Sequence, residues 1–131
     1  MSVEISYSAD IPAGAFLKLA SRVWPRDYDA PAVERALDRT INIGAWHGAR
    51  LVGAVRILTD GYLFGTIPGI LVDPDYQHRG IGRHLMELAI EHAPRGKLFF
   101  GAQQESVGFF ERLGCVRGPT GFVAARETLA H

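Results

Sequence analysis

Residues 70–83 hold the groups in this chain best suited to bind an anion. Ile70, Leu71 and Val72 form an apolar, strand-like run; Asp73, Pro74 and Asp75 turn the chain; and Gln77, His78, Arg79, Gly80, Ile81 and Gly82 open a helix. The first N–H groups of a helix have no intrahelical partner and carry the positive end of its dipole, so a phosphate placed there accepts several hydrogen bonds at once. Gly80 and Gly82 let the main chain come close to such an anion, with Gln77, His78, Arg79, Ile81 and Arg83 beside them as candidate ligands. The two arginines can add charge. Spacing excludes two familiar phosphate loops. Position 85 is Leu where a dinucleotide fingerprint needs its third glycine, and no Gly-Lys-Ser/Thr closes the run as a P-loop requires. His78 and His84 stand six apart, unlike the i, i+4 pairs that ligate zinc from one helical face, and no metal is expected.

The elements that must position this loop follow from periodicity and turn chemistry. Leu85, Met86, Leu88, Ala89 and Ile90 recur at helical spacing and give the loop's helix a face to bury, up to a stop near Ala93, Pro94, Arg95 and Gly96. Val3, Ile5 and Tyr7 alternate with polar residues as in a half-buried strand. Asp10 ahead of Pro12, and Asp29 ahead of Pro31, start two short amphipathic helices, the first ending near Trp24. Residues 41–46 and 51–58 read as a hairpin around His47, Gly48, Ala49 and Arg50. Tyr62, Leu63 and Phe64 with residues 66–72 read as a further strand, in which Pro68 and Gly69 predict a bulge or an edge. Residues 97–102 are expected as a strand, 106–113 as a helix closed by Gly114, and 115–117 and 121–126 as two last strands.

Composition narrows the function classes. The chain has 131 residues, enough for one domain and too few for two cores, so residues 1–131 are expected as a single domain. Lysine plus arginine equals aspartate plus glutamate at 14 each, and this zero net charge argues against a nucleic-acid partner. Apolar runs fall short of the ~20 residues of a membrane span, so no membrane partner is expected. The single Cys115 and an N-terminus without signal-peptide character suggest a cytoplasmic protein.

Gln-x-x-Gly-x-Gly at 77–82, directly after the Val-Asp-Pro turn, resembles the acetyl-CoA loop of the GNAT N-acetyltransferase superfamily. Residues 107–115, with Phe109, Phe110 and Gly114, resemble its late Phe-Tyr-x-x-x-Gly-Phe segment. The resemblance covers residues 51–126 well and the earlier ones faintly. It implies an α/β (α+β) fold: one mixed, mostly antiparallel sheet of six or seven strands, splayed at the cofactor site, with about four helices. It also implies acetyl-CoA as co-substrate, an amine acceptor, and a homodimer through the last strands. By alignment, the backbone amide of Ile70 polarises the thioester carbonyl, and Leu71 and Val72 continue the pantetheine-binding edge. Gln103 occupies the place of a cofactor-binding Asn, with Ser106, Phe109 and Phe110 along the cofactor arm. Trp24, Asp27 and Tyr28 fall where the early helices lie over the acceptor cleft, and Phe122 and Val123 approach it.

Acyl transfer to an amine needs a neutral nucleophile, donors for the thioester oxygen, and a proton or stabilisation for the leaving thiolate. The superfamily's Tyr proton donor is here Phe110, and its strand Glu base is here Thr66. Neither residue can move that proton, so the general base and acid are unassigned. Water, Tyr62, Tyr76, Glu105 and Cys115 are the alternatives. The implied function is transfer of acetyl from acetyl-CoA to a primary amine of a small molecule or protein, in a ternary complex without a covalent enzyme intermediate. Two other classes stay open: an acyl-CoA-binding sensor with weak or no turnover, and an interaction domain whose glycine loop is only a turn. Asp27, Asp60 or Glu105 lining the cleft would suit a cationic amine.

Overall fold

The computed structural model describes residues 4–129, in two compact units, 4–100 and 101–129. Val3, read above as part of the first strand, lies outside the described residues. The larger unit is built on an antiparallel sheet of four strands in sequence order: β1 (Ser6–Ser8), β2 (Ile41–His47), β3 (Arg50–Thr59) and β4 (Gly65–Val72). Helices α1 (Ala13–Val23) and α2 (Ala30–Asp38) precede β2, and α3 (Ile81–Ile90) follows β4. Adjacent strand residues face opposite sides, so Ala54 and Gly53 show how the faces are covered. Ala54 and Leu71 pack with Phe16, Leu19 and Ala20 of α1 and Leu37 of α2. A Cβ on Gly53, on the other face, would lie 3.0 Å from Ile81 and 3.1 Å from Leu85 of α3. The missing side chain at 53 therefore sets how closely α3 approaches the sheet.

Local signals explain most of these elements. Asp29 caps α2, its Oδ1 accepting from the Ala32 N–H at 3.2 Å, with Pro31 in the first turn. Asp10, expected from sequence to cap α1, does not: Pro12 holds the cap position and α1 begins without a side-chain cap. The β2–β3 loop is tighter than expected, because His47 and Arg50 pair with each other and leave two residues, with Gly48 at φ 61°. Tyr62, Leu63 and Phe64 are not strand. Asp60 Oδ1 accepts from the N–H groups of all three, which holds them in a turn and lowers the Asp60 pKa through those backbone bonds.

Among the described residues the sheet has four strands, fewer than the six or seven expected. Residues 97–102 contribute one parallel bridge, Thr66 to Phe99. Arg95 at φ 56° and Gly96 at φ 74° bend the chain just before it, too close for a longer run to line up. Residues 115–117 and 121–126 form no strand: Phe122 and Val123 are 93% and 94% exposed, so this stretch buries no apolar face that would fix a register. In the second unit, α4 (Val107–Arg112) follows a 3₁₀ turn, Gln104–Ser106, and ends where Gly114 takes φ 91°. None of the described helices is long and apolar enough to cross a membrane.

Candidate functional site

β4 is the edge strand of the sheet, and its hydrogen-bond parity changes along its length. Arg56 pairs with Gly69 and Leu58 with Thr66, two residues on β3 against three on β4, so β4 carries a bulge around Pro68. Before the bulge, the Gly65 carbonyl and the Ile67 N–H face away from β3 and bond Phe99, at 3.0 and 3.3 Å. After it, Asp73 donates to the Val52 carbonyl at 2.8 Å, which makes Asp73 and Val52 a hydrogen-bonded pair. Strict alternation then turns Leu71 and Gly69 toward β3 and leaves the N–H groups of Ile70 and Val72 on the open edge. The bulge that sequence located at Pro68 and Gly69 is thus the device that presents two successive outward amides, with no partner strand among the described residues.

That edge runs into the glycine loop. A 3₁₀ turn, Pro74–Tyr76, is followed by His78 at φ 64° and Gly80 at φ 83°. Gly80 serves as the N-cap of α3 without any side-chain cap, so the N–H groups of Ile81, Gly82 and Arg83 have no partner from the helix itself or from a capping side chain. Open space surrounds the position a Gly80 Cβ would take. Arg79 lies over the Tyr76 ring at 5.1 Å, Arg83 pairs with Glu87 at 3.7 Å on an exposed face, and Gln77 Nε2 donates to the Val72 carbonyl at 3.3 Å. The loop's main chain is therefore presented while its side chains already have neighbours. An extended ligand with amide groups along β4 and an anion at α3 matches these donors.

The loop is held by groups in a structural role that sequence reading did not assign to them. Asp73 is 1% exposed and accepts from Arg22 Nε at 2.8 Å, Arg22 Nη2 at 3.1 Å, Arg50 Nη2 at 2.8 Å and the Asp75 N–H at 2.9 Å. Burial raises its pKa, but the Arg22 bond, the Asp75 N–H and the Arg50 bond together outweigh that and hold it below the ordinary carboxylate range. Tyr76, buried, hydrogen-bonds His47 at 2.6 Å, and its ring lies within 5.3 Å of the Arg50 guanidinium. Arg22 and Arg50 stand 51 and 23 residues from Asp73, and no local pattern links them.

A cleft of about 190 Å³ opens between α1, α2 and the bulge. Phe16, Trp24 and Tyr28 line its helical side; Pro68, Gly69 and Arg56 line its sheet side. Trp24 and Tyr28, expected on the acceptor side, line this cleft, whereas Asp27, Asp60 and Glu105 are not among its lining residues. Arg56 was also missed, although an arginine inside the apolar run 51–58 was the visible signal.

The acetyltransferase (GNAT) family model matches residues 12–115. The chain belongs to the GNAT family. Such proteins generally use acetyl-CoA as the acyl donor. Among solved structures, a GNAT-family acetyltransferase from Streptococcus pneumoniae is similar in fold, with TM-score 0.78, 23% identity, and coverage of 94% of this chain and 97% of that one. The ribosomal-protein-S18-alanine N-acetyltransferase of Escherichia coli gives TM-score 0.69, 19% identity, and coverage of 85% and 77%. Among curated proteins, a chloroplastic GCN5-related N-acetyltransferase from Arabidopsis thaliana is 33% identical over 75 residues, 55% of this chain and 29% of the relative. A histone acetyltransferase from Glycine max is 35% identical over 75 residues, 55% and 32%. The chain spans about a third of the length of these curated relatives.

In this GNAT chain, the outward N–H groups of Ile70 and Val72 lie just ahead of the loop from Gln77 to Arg83 along the chain, whereas Leu71 is buried with its N–H toward β3. Gln103, Ser106, Phe109 and Phe110 belong to the second unit, where Gln103 precedes the 3₁₀ turn and Phe110 is the buried residue of α4. Among the alternative proton carriers, Tyr62 is exposed on its turn and Tyr76 is engaged by His47. No cluster of three metal-ligating side chains occurs among the described residues.

Proposed function

We propose that the protein is an N-acetyltransferase that moves acetyl from acetyl-CoA to a primary amine by direct attack in a ternary complex. The observation that carries this reading is the run of outward amides at Ile70 and Val72 ending at the uncapped N-terminus of α3. The pantetheine amides pair with the open edge of β4, and the pyrophosphate accepts from the N–H groups of residues 80–83. The neutral amine nitrogen attacks the thioester carbonyl carbon while the Ile70 N–H donates to the oxygen on which charge develops. The C–N bond forms and the C–S bond breaks. The amine loses one proton and the departing CoA sulfur gains one. Phe110 has no O–H and Thr66 is no base near neutrality, so this proton travels through water. A cytoplasmic location is part of the same reading and rests on the lone Cys115.

Thr66 and Phe110 also favour a second reading, an acyl-CoA-binding regulator without turnover. Thiol release from acetyl-CoA, measured against a panel of amines and peptides, separates the two. Because the Ile70 N–H leaves no bond to β3, Ile70→Pro removes that donor at little cost to the ladder. The transferase reading expects turnover by wild type and a fall of about 10²- to 10³-fold in kcat for the variant, with acetyl-CoA binding kept. Binding without thiol release for any acceptor supports the regulator instead.

A further inference from the structure

Arg56 projects from β3 on the face of Ala54, into the cleft below α1 and α2, with its guanidinium 5.9 Å from the centre of the Phe16 ring. Its Nε is buried and has no hydrogen-bond partner. Arg56 forms no ion pair among the described residues, in contrast to Arg22 and Arg50. Partial burial lowers its pKa, and no ion pair among the described residues offsets that loss of solvation. The second charged residue lining the cleft is another arginine, Arg26, and no carboxylate lines it. A half-buried guanidinium whose Nε is shut off from water and unpartnered is a costly feature unless an anion completes it.

Its place in the sheet says where that anion would sit. Arg56 pairs with Gly69, the residue before Ile70, on a neighbouring strand about 4.8 Å away. Gly69 has no side chain to fill the space, and a Cβ there would meet only Trp24, at 4.0 Å. The cavity, at about 190 Å³, is below the range of about 300 to 1,000 Å³ typical for drug-sized ligands. We propose that the acceptor is a small amine that also bears a carboxylate, and that Arg56 holds the carboxylate while the amine faces the Ile70 edge. This rests on the acetyltransferase reading above. Two guanidinium groups repel an ammonium ion, so the same cleft favours the neutral, nucleophilic form of the amine, which is what a site lacking a carboxylate base requires. The acidic lining that would suit a simple cationic amine is absent from the residues that line this cleft.

The test compares small α- and ω-amino acids with their own carboxamides, which match them in size and lack the charge. Each is measured by thiol release from acetyl-CoA and by calorimetric binding to the CoA-loaded protein. In wild type the acid member of at least one pair is preferred by about 10- to 100-fold, the range of a hydrogen-bonded charge contact. Arg56→Gln abolishes that preference, and Arg56→Lys restores part of it because a cation remains. Equal treatment of acids and amides by wild type, including binding of neither, overturns the proposal, as does a preference that survives in Arg56→Gln. Failure of the acetyltransferase reading registers separately, as acetyl-CoA that wild type does not bind, or binds without thiol release for any amine in the wider panel.

Discussion

Asp73 shows how one buried carboxylate shapes a site it does not enter. Its oxygens join Arg22 of α1, Arg50 at the start of β3 and the Asp75 N–H, so three separate pieces of chain meet where β4 hands over to the loop. Asp73→Asn keeps the shape but leaves two guanidinium groups without their anion. Both arginines are about half exposed and can turn to water, so the expected loss is about 1–3 kcal/mol, below that for a fully buried pair. The pH dependence has a definite sign. The folded pKa of Asp73 is depressed, so its stabilisation is fully present above the unfolded value of about 3.9 and is lost as pH falls through the lower folded value. Chemical denaturation from pH 7 down to pH 2 should show a loss in wild type below about pH 4 that is smaller in Asp73→Asn. A variant with unchanged acid sensitivity would remove Asp73 from this role. Gly69→Val is a second test at this scale. It carries no left-handed backbone to strain and puts bulk toward Trp24, so acceptor use should fall while acetyl-CoA affinity stays within a few-fold.

At the scale of elements, the β4 bulge and the approach of α3 do the positioning. One extra residue against β3 shifts the outward parity from Gly65 and Ile67 to Ile70 and Val72, and Pro68 sits where an N–H would have no ladder to join. Gly53 then lets α3 lie close enough that its N-terminus continues the line of that edge. Gly53→Val places methyl groups into Ile81, Leu85 and Ala45, the nearest at 3.0 Å from the Cβ position. Overpacking of this kind costs about 1–3 kcal/mol and moves α3 away. Acetyl-CoA affinity should fall with stability, even though residue 53 touches no ligand, and unchanged affinity would show that α3 placement is not what the loop depends on.

At the scale of the whole molecule, legibility tracked how local the determining physics is. The bulge at Pro68, the helix start at Asp29, the loop from Gln77 to Gly82 and the stop at Gly114 each depend on a few neighbouring residues, and sequence located them. The last strands did not form because pairing needs a partner and a face to bury, and Phe122 and Val123 have neither in the second unit. The Arg22, Asp73 and Arg50 cluster was invisible because its members are far apart in the chain. That Arg56 faces the cavity was out of reach for the same reason, because the walls of the cleft come from α1, α2 and the bulge of β4. A ligand that binds only the folded chain stabilises it by about 2.7 kcal/mol at 100 times its dissociation constant, so acetyl-CoA at that level should raise Tm by several degrees.

The most direct test of the central claim is a calorimetric titration of acetyl-CoA into wild type and into Gly82→Trp, whose indole stands on the first turn of α3 where the pyrophosphate is placed. The account predicts saturable one-to-one binding to wild type and a loss of at least about 100-fold in the variant, at unchanged far-ultraviolet dichroism, as expected when several charge-assisted bonds are blocked. Absence of binding to wild type, or equal affinity in the variant, would contradict it.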